Sequence, residues 1–185
     1  MDLSRFEKFA EMRNSALAMG AYRAELIQAN QIVVDERVRL KCQIPFCPHY
    51  GNSLRCPPNT MPVTEFRSVL ARYSCALVIQ VVSYGIEEKT LTETEKKAQL
   101  MLGELEKKAL GLGFYFATGL GASNCRICEE CVGARSGLPC RNPSQARPSA
   151  EAMGIDVIKT AGEAGLPFGL DNPKEVIYTE ILLLD

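Results

Sequence analysis

The sequence predicts an α/β fold, with α+β as the alternative: a small mixed sheet, helices packed on it, and two cysteine-rich metal loops at strand ends. Three observations lead there. "CALVIQVVSYG" is a short, nearly continuous apolar run, as expected of a strand buried on both faces. Between Glu87 and Leu112, Ala98, Leu102, Leu105, Ala109 and Leu112 recur in steps of four and three, which gives a long helix one apolar stripe. "GLGFYFATGLG" then supplies a second strand bounded by glycine. Strand, helix, strand is a βαβ unit, so these two strands are expected to pair in parallel with a right-handed crossover.

The remaining elements follow in chain order. The first segment is an amphipathic helix, with Ser4 and Glu7 spaced as a capping box and Gly20 placed to close it. "AELIQ" and "QIVVDERVRLKC" are rich in β-formers and read as a hairpin or two short strands. "TEFRSVLARYS" has Phe66, Val69, Leu70 and Tyr73 at helical spacing behind a Thr64 cap. Late in the chain, short helical segments surround "PSAEAMG" and "DVIKTAGEAG", the second with Asp156 as cap and Gly165 as stop. "EVIYTEILLLD" is a final strand. No repeat or composition break marks a second domain, so residues 1–185 read as one domain carrying two cysteine loops, about 42–58 and 121–143.

Composition narrows the function classes. The chain is 46% hydrophobic and 23% charged, with a formal net charge of −1. Such a balance offers no electrostatic reason for nucleic acid or an anionic membrane as partner. No apolar run approaches the roughly 18 residues of a transmembrane helix. The N-terminal stretch carries acids and a helical pattern instead of a signal peptide's basic start and apolar block. The expected location is the cytoplasm, where disulfides are rare and clustered cysteines serve metals or redox chemistry.

Four of the eight cysteines fall within sixteen positions: Cys125, Cys128, Cys131 and Cys140. Three cysteines stepped by three residues can wrap a compact cubane, with a remote fourth closing the site, as in ferredoxin runs. The match departs from a ferredoxin in the eight residues before Cys140 and in Pro143 standing three residues after it. Zinc is the alternative, although structural zinc sites usually pair two C-x2-C knuckles. Arg126, Arg135, Arg141 and Arg147 surround these ligands, either as counter-charges to an anionic cluster or as solvated loop charges.

The first group, in "KCQIPFCPHYGNSLRCPPNTMP", has three cysteines, Cys42, Cys47 and Cys56. Pro45, Pro48, Pro57 and Pro58 stiffen this loop, and Gly51 permits a turn with positive φ. A cubane here leaves one corner for water or substrate, for His49, or for Cys75. Cys75 begins an apolar strand and suits the core better. Both groups are placed after strands, the first after one ending near Leu40 and the second after one ending near Thr118, where α/β sheets put their sites.

"KCQIPFCPHYGNSLRCPP", "CRICEECVGARSGLPCRNP" and "RPSAEAMGIDV" together resemble DUF2284, a family of predicted metal-binding proteins of unknown function. The resemblance implies metal binding, as iron–sulfur, by Cys42, Cys47, Cys56, Cys125, Cys128, Cys131 and Cys140. It supplies no reaction.

Three functions compete. The first is electron transfer or a redox accessory role with one or two [4Fe-4S] clusters and a redox protein partner. The second is an enzyme binding a small molecule at an open iron of the three-cysteine cluster, although the C-x3-C-x2-C spacing of radical S-adenosylmethionine enzymes is absent. The third is a binding module whose zinc only folds the loops. "GLGAS" at 119–123 is too short for a dinucleotide fingerprint and reads as a turn into the cysteine loop.

Overall fold

The structure, a computed structural model, describes residues 3–169 and 172–185. Its sheet has four strands in the order β1-β2-β4-β3: β1 Arg23–Gln28, β2 Cys75–Ser83, β3 Thr118–Leu120 and β4 Val176–Leu184. Five α-helices accompany it: α1 Leu3–Ala18, α2 Glu36–Leu40, α3 Val63–Leu70, α4 Glu88–Gly111 and α5 Val157–Glu163.

The two faces of the sheet bury separate cores. On one, Leu77, Ile79, Leu182 and Leu184 meet Phe9 and Met12 of α1 and Leu102, Leu105 and Ala109 of α4. On the other, Val78, Ile181 and Leu183 meet Phe66 and Leu70 of α3 and Ala161 of α5. Burial on both faces explains why β2 reads as a continuous apolar run. It does not require parallel neighbours, and here it has none.

All strand pairs are antiparallel, which corrects the expected parallel pairing in a βαβ unit. Strands β2 and β3 do flank α4 in the chain and point the same way, but β4 lies between them and pairs with both. The pairing from Cys75↔Leu184 to Ser83↔Val176 joins two strands of nine residues each. Strand β3 spans three residues and meets β4 alone. An apolar strand looks the same in sequence whatever the direction of its neighbour, so periodicity could not reveal this insertion.

The second expected strand, "QIVVDERVRLKC", is also corrected. Val34 makes one isolated bridge, to Ile155, and Glu36–Leu40 is helix α2, capped by the Asp35 carboxylate accepting from the Arg37 N–H at 2.9 Å. The β-branched run is used against the end of the chain instead. The Val33 N–H donates to Thr160 Oγ1 at 3.1 Å, and its carbonyl accepts from the Asp156 N–H at 2.8 Å. Hence the first cysteine loop follows a helix, and only the second follows a strand.

Most helix ends are as expected. Asp156 accepts from the Lys159 N–H at 3.0 Å to start α5, and Gly20 and Gly165 follow α1 and α5 at φ +103° and +66°. Two expected caps differ: Pro62, not Thr64, precedes α3, and α1 begins at Leu3, ahead of Ser4. Gly119 is required by close approach, because a Cβ there would stand 2.7 Å from the Leu102 side chain of α4. Among the described residues, no helix is long and apolar enough to cross a membrane.

Candidate metal centre

The first cysteine loop is built from consecutive tight turns. The Cys47 N–H donates to the Cys42 carbonyl at 3.1 Å, Tyr50 to Cys47 at 3.0 Å, and Cys56 to Ser53 at 3.3 Å. Gly51, at φ +70°, donates its N–H to the Pro57 carbonyl at 2.8 Å and so closes the loop on itself. The Asn52 and Asn59 side chains add bonds to the Pro48 and Ser53 carbonyls, at 2.8 and 3.0 Å. Cys56 is buried and Cys42 and Cys47 are partly covered.

The second loop is suspended from α4. Gln99 donates from Nε2 to the Ala122 and Asn124 carbonyls at 3.3 and 2.9 Å, and its Oε1 accepts from the Arg126 N–H at 2.8 Å. One turn earlier, Glu95 holds the Arg126 guanidinium at 2.6 Å. Where the chain returns to the sheet, Arg147 pairs with Glu106, which also accepts from the Gly119 N–H. Glu95, Gln99 and Glu106 are polar residues on a helix selected in sequence for its apolar stripe, so sequence reasoning missed them. The regular four-residue step from Glu95 to Gln99 was the available signal. It also places two of the four arginines in ion pairs with α4, while Arg141 donates to the Glu130 carbonyl at 3.2 Å.

Several sulfurs of this loop already accept hydrogen bonds. The Gly133 N–H donates to Cys131 Sγ at 3.4 Å, Asn142 Nδ2 donates to Cys128 Sγ at 3.1 Å, and the Ile127 N–H lies against Cys125. Donors directed at sulfur stabilise thiolate character and tune the potential of a bound centre. Cys128, Cys131 and Cys140 all stand close enough to Cys125 for their charges to act on its titration, although burial contributes most to raising it. Cys131 is exposed at the loop's outer edge.

The two loops meet. The Ala134 N–H donates to the Asn52 carbonyl at 2.7 Å. Burial pushes the Cys56 thiol up to about 11, with Cys47, Cys42 and also Cys125 of the other loop raising it further. His49 reaches toward the second loop as well: burial lowers its pKa, and the nearby Arg126 guanidinium lowers it further. Between the loops lies a chamber of about 180 Å³ whose walls include Cys42, Cys47, Cys56, His49, Asn124 and Glu151. A wider groove of about 660 Å³, lined by Lys41, Asp156 and Val157 of α5 among others, reaches Cys42, Cys47 and Glu151 from outside. Helix α5 therefore stands beside the first group.

Cys75 stands apart. It opens β2, partly covered, beside Arg5, Phe9 and Leu26, and burial pushes its thiol up to about 11. All eight cysteines are free thiols.

Among the described residues, no three histidine, cysteine, aspartate or glutamate side chains form a group closed around a metal ion. The donor chemistry nonetheless fits a metal centre. Seven thiols lie on two abutting loops, and buried thiols held neutral by desolvation ionise when a cation arrives to balance the charge. Beside the first loop, two covered polar atoms have no hydrogen-bond partner among the described residues: Arg55 Nε, next in the chain to Cys56, and Oε2 of Glu151 in the chamber wall. An orphaned buried polar atom usually marks a missing ion, water or ligand.

Beneath the second loop lies one more buried acid. Glu180 of β4 is fully covered, and burial pushes its pKa up to about 8 although the Ala122 backbone lies against the carboxyl and lowers it. Its Oε1 would be 3.6 Å from a Cβ on Gly121, where the loop begins. Tyr178, two residues earlier, is pushed up to about 12, by burial first and by Glu95 next.

Comparison with curated proteins and with solved structures returned no match. Residues 25–184 match the family described as predicted metal-binding protein, a span that takes in both cysteine loops and every strand but the first two residues of β1. The chain belongs to the DUF2284 family of predicted metal-binding proteins.

Proposed function

We propose that the chain binds iron–sulfur clusters, of the [4Fe-4S] type, on its two cysteine loops and transfers electrons as a carrier or redox accessory protein. The observation that carries this reading is the contact between the loops, where the Ala134 N–H of the second donates to the Asn52 carbonyl of the first at 2.7 Å. Cys125, Cys128, Cys131 and Cys140 would hold one cluster, and Cys42, Cys47 and Cys56 the other. Such clusters supply one-electron redox chemistry when bound.

The chain's own groups divide the work. The N–H donors of Gly133 and Ile127 and the Asn142 amide orient sulfurs of the second loop and offset their charge. Exposed Cys131 gives a redox protein partner access, and Leu138 on the same loop is also exposed. The buried Cys56 side of the first loop keeps water away from the inner centre. Zinc would need no such surface contact, and a cytoplasmic location would keep the thiols reduced.

A second reading is enzymatic: a small molecule reaches the three-cysteine centre through the groove that extends to Cys42 and Cys47. The groove favours it specifically, because an electron carrier has no use for a passage to its inner ligands.

Purification without air, followed by iron and acid-labile sulfide analysis, tests the common core of both readings. Roughly eight irons per chain are expected for two cubanes and roughly four for one. Stoichiometric zinc without labile sulfide would sink both readings and leave the zinc-folded binding module.

A further inference from the structure

Three cysteines leave one corner of a four-iron cluster without a thiolate, and the chamber wall contains another donor that sequence reasoning did not weigh. Glu151 is partly covered as a residue, but its Oε2 is shielded from solvent and has no hydrogen-bond partner among the described residues. Burying an acceptor unpaired is costly, so such an atom calls for a missing partner. Cys42, Cys47 and Cys56 share the chamber with it.

The backbone holds Glu151 firmly in that place. It opens the short 3-10 turn Glu151–Met153, whose Ala152 N–H is bonded by Ser149 Oγ at 3.1 Å. The Ala150 N–H donates to the Gly121 carbonyl at 2.8 Å, and the Gly154 carbonyl accepts from Asp35 at 2.8 Å. These bonds tie the turn to the start of the second loop on one side and to the cap of α2 on the other. His49 lines the same chamber, and the charges of Arg126 and Glu95 also act on it.

We infer that Glu151 is the fourth protein ligand of the metal centre held by Cys42, Cys47 and Cys56, through its otherwise unpartnered Oε2. This assignment rests on the iron–sulfur reading above. Carboxylate is a harder donor than thiolate and is found on iron in oxygen- and nitrogen-rich sites. Beside three thiolates it is the ligand most readily displaced. Glu151 also lines the outer groove, so a small molecule coming through that groove meets the replaceable ligand first.

The test uses the full chain, purified or reconstituted without air, as native protein, Glu151→Gln and His49→Ala. Iron, sulfide and spin-resonance spectra are recorded on each, followed by titration with cyanide. Glu151→Gln is expected to alter one of two cluster signals and leave the other untouched. Cyanide should bind it about ten-fold more tightly than the native chain, if the carboxylate occupies the corner about nine-tenths of the time. His49→Ala should change neither.

Loss of only the first cluster in Glu151→Gln supports the assignment equally. If that variant loses both signals through misfolding, Glu151→Asp decides, since it keeps the charge and retracts the oxygen by one methylene. A shifted first-cluster signal in Glu151→Asp supports ligation, and an unaltered one overturns it. A native-like spectrum and cyanide affinity in Glu151→Gln, or these changes appearing in His49→Ala instead, would overturn the assignment and leave the clusters standing. Native protein with about half the expected iron and the second signal alone would do the same. Native protein with no labile sulfide would overturn the iron–sulfur reading itself.

Discussion

The two cysteine loops reach the same chamber by opposite means. The first, residues 42–58, supports itself: turn follows turn, Gly51 closes on Pro57, and Ser53, Cys56 and Pro57 are buried. The second, residues 121–143, has little of its own beyond Gly121 and Ala122 in the interior, and it is held by Gln99 and Glu95 on a helix some 25 residues earlier. A loop held by local bonds keeps its shape when its metal leaves. A loop held by a few side chains and a metal does not.

The largest expected effect comes from removing one metal ligand in each loop. Cys128→Ser should lose a centre and speed amide exchange across residues 119–148, where the proposed metal bonds would supply much of the order. Cys47→Ser should also lose metal, yet residues 42–58 should stay protected by their turns. Equal loss of protection in both variants, measured by hydrogen exchange, would break the comparison.

The anchor from α4 comes next. Gln99→Ala leaves two carbonyls and one N–H of the second loop without their partner. At about 1–3 kcal/mol for each buried group left unsatisfied, a total loss of about 2–4 kcal/mol is expected once water reaches some of them. Urea unfolding measures it. A loss below about 0.5 kcal/mol, the range of ordinary surface changes, would mean the loop does not depend on α4.

Glu180 beneath the second loop sharpens the comparison through pH. With its pKa pushed up to about 8, the folded chain keeps a proton that the unfolded chain releases in the ordinary carboxylate range. Its contribution to stability is therefore full at low pH and is lost as pH rises toward about 8. Glu180→Gln removes the titration and should flatten that decline. A variant whose urea midpoint falls with pH as steeply as the native protein's would show that the carboxyl is not held protonated.

The smallest effect belongs to Cys75→Ser. With Cys75 opening β2 beside Arg5 and Phe9, the metal content should be unchanged and the stability lower by about 1 kcal/mol. Iron loss as complete as in Cys128→Ser would place Cys75 among the ligands.

Legibility in sequence followed the range of the interactions. The stripe from Ala98 to Ala109, the Asp156 cap, the positive φ at Gly51 and the apolar run of β2 each depend on neighbours a few residues away, and each is found in place. The clustering of the seven motif cysteines was legible for the same reason, since spacing along the chain is a local property. Where a β-branched run found its partners far along the chain, as Val33 did with Asp156 and Thr160, propensity misled and a helix followed in place of a strand.

By itself, the sequence determined helices α1, α3, α4 and α5, the two long strands and the crowding of thiols into two stiffened or glycine-punctuated loops, because side-chain periodicity and turn chemistry act over a few residues. Only the tertiary structure decided that β4 enters between β2 and β3, that Gln99 and Glu95 carry the second loop, and that the two loops abut with Glu151 in the wall of the chamber between them. Those contacts join positions tens of residues apart. Their partners are selected by which surfaces can be buried together, and no local pattern records that choice.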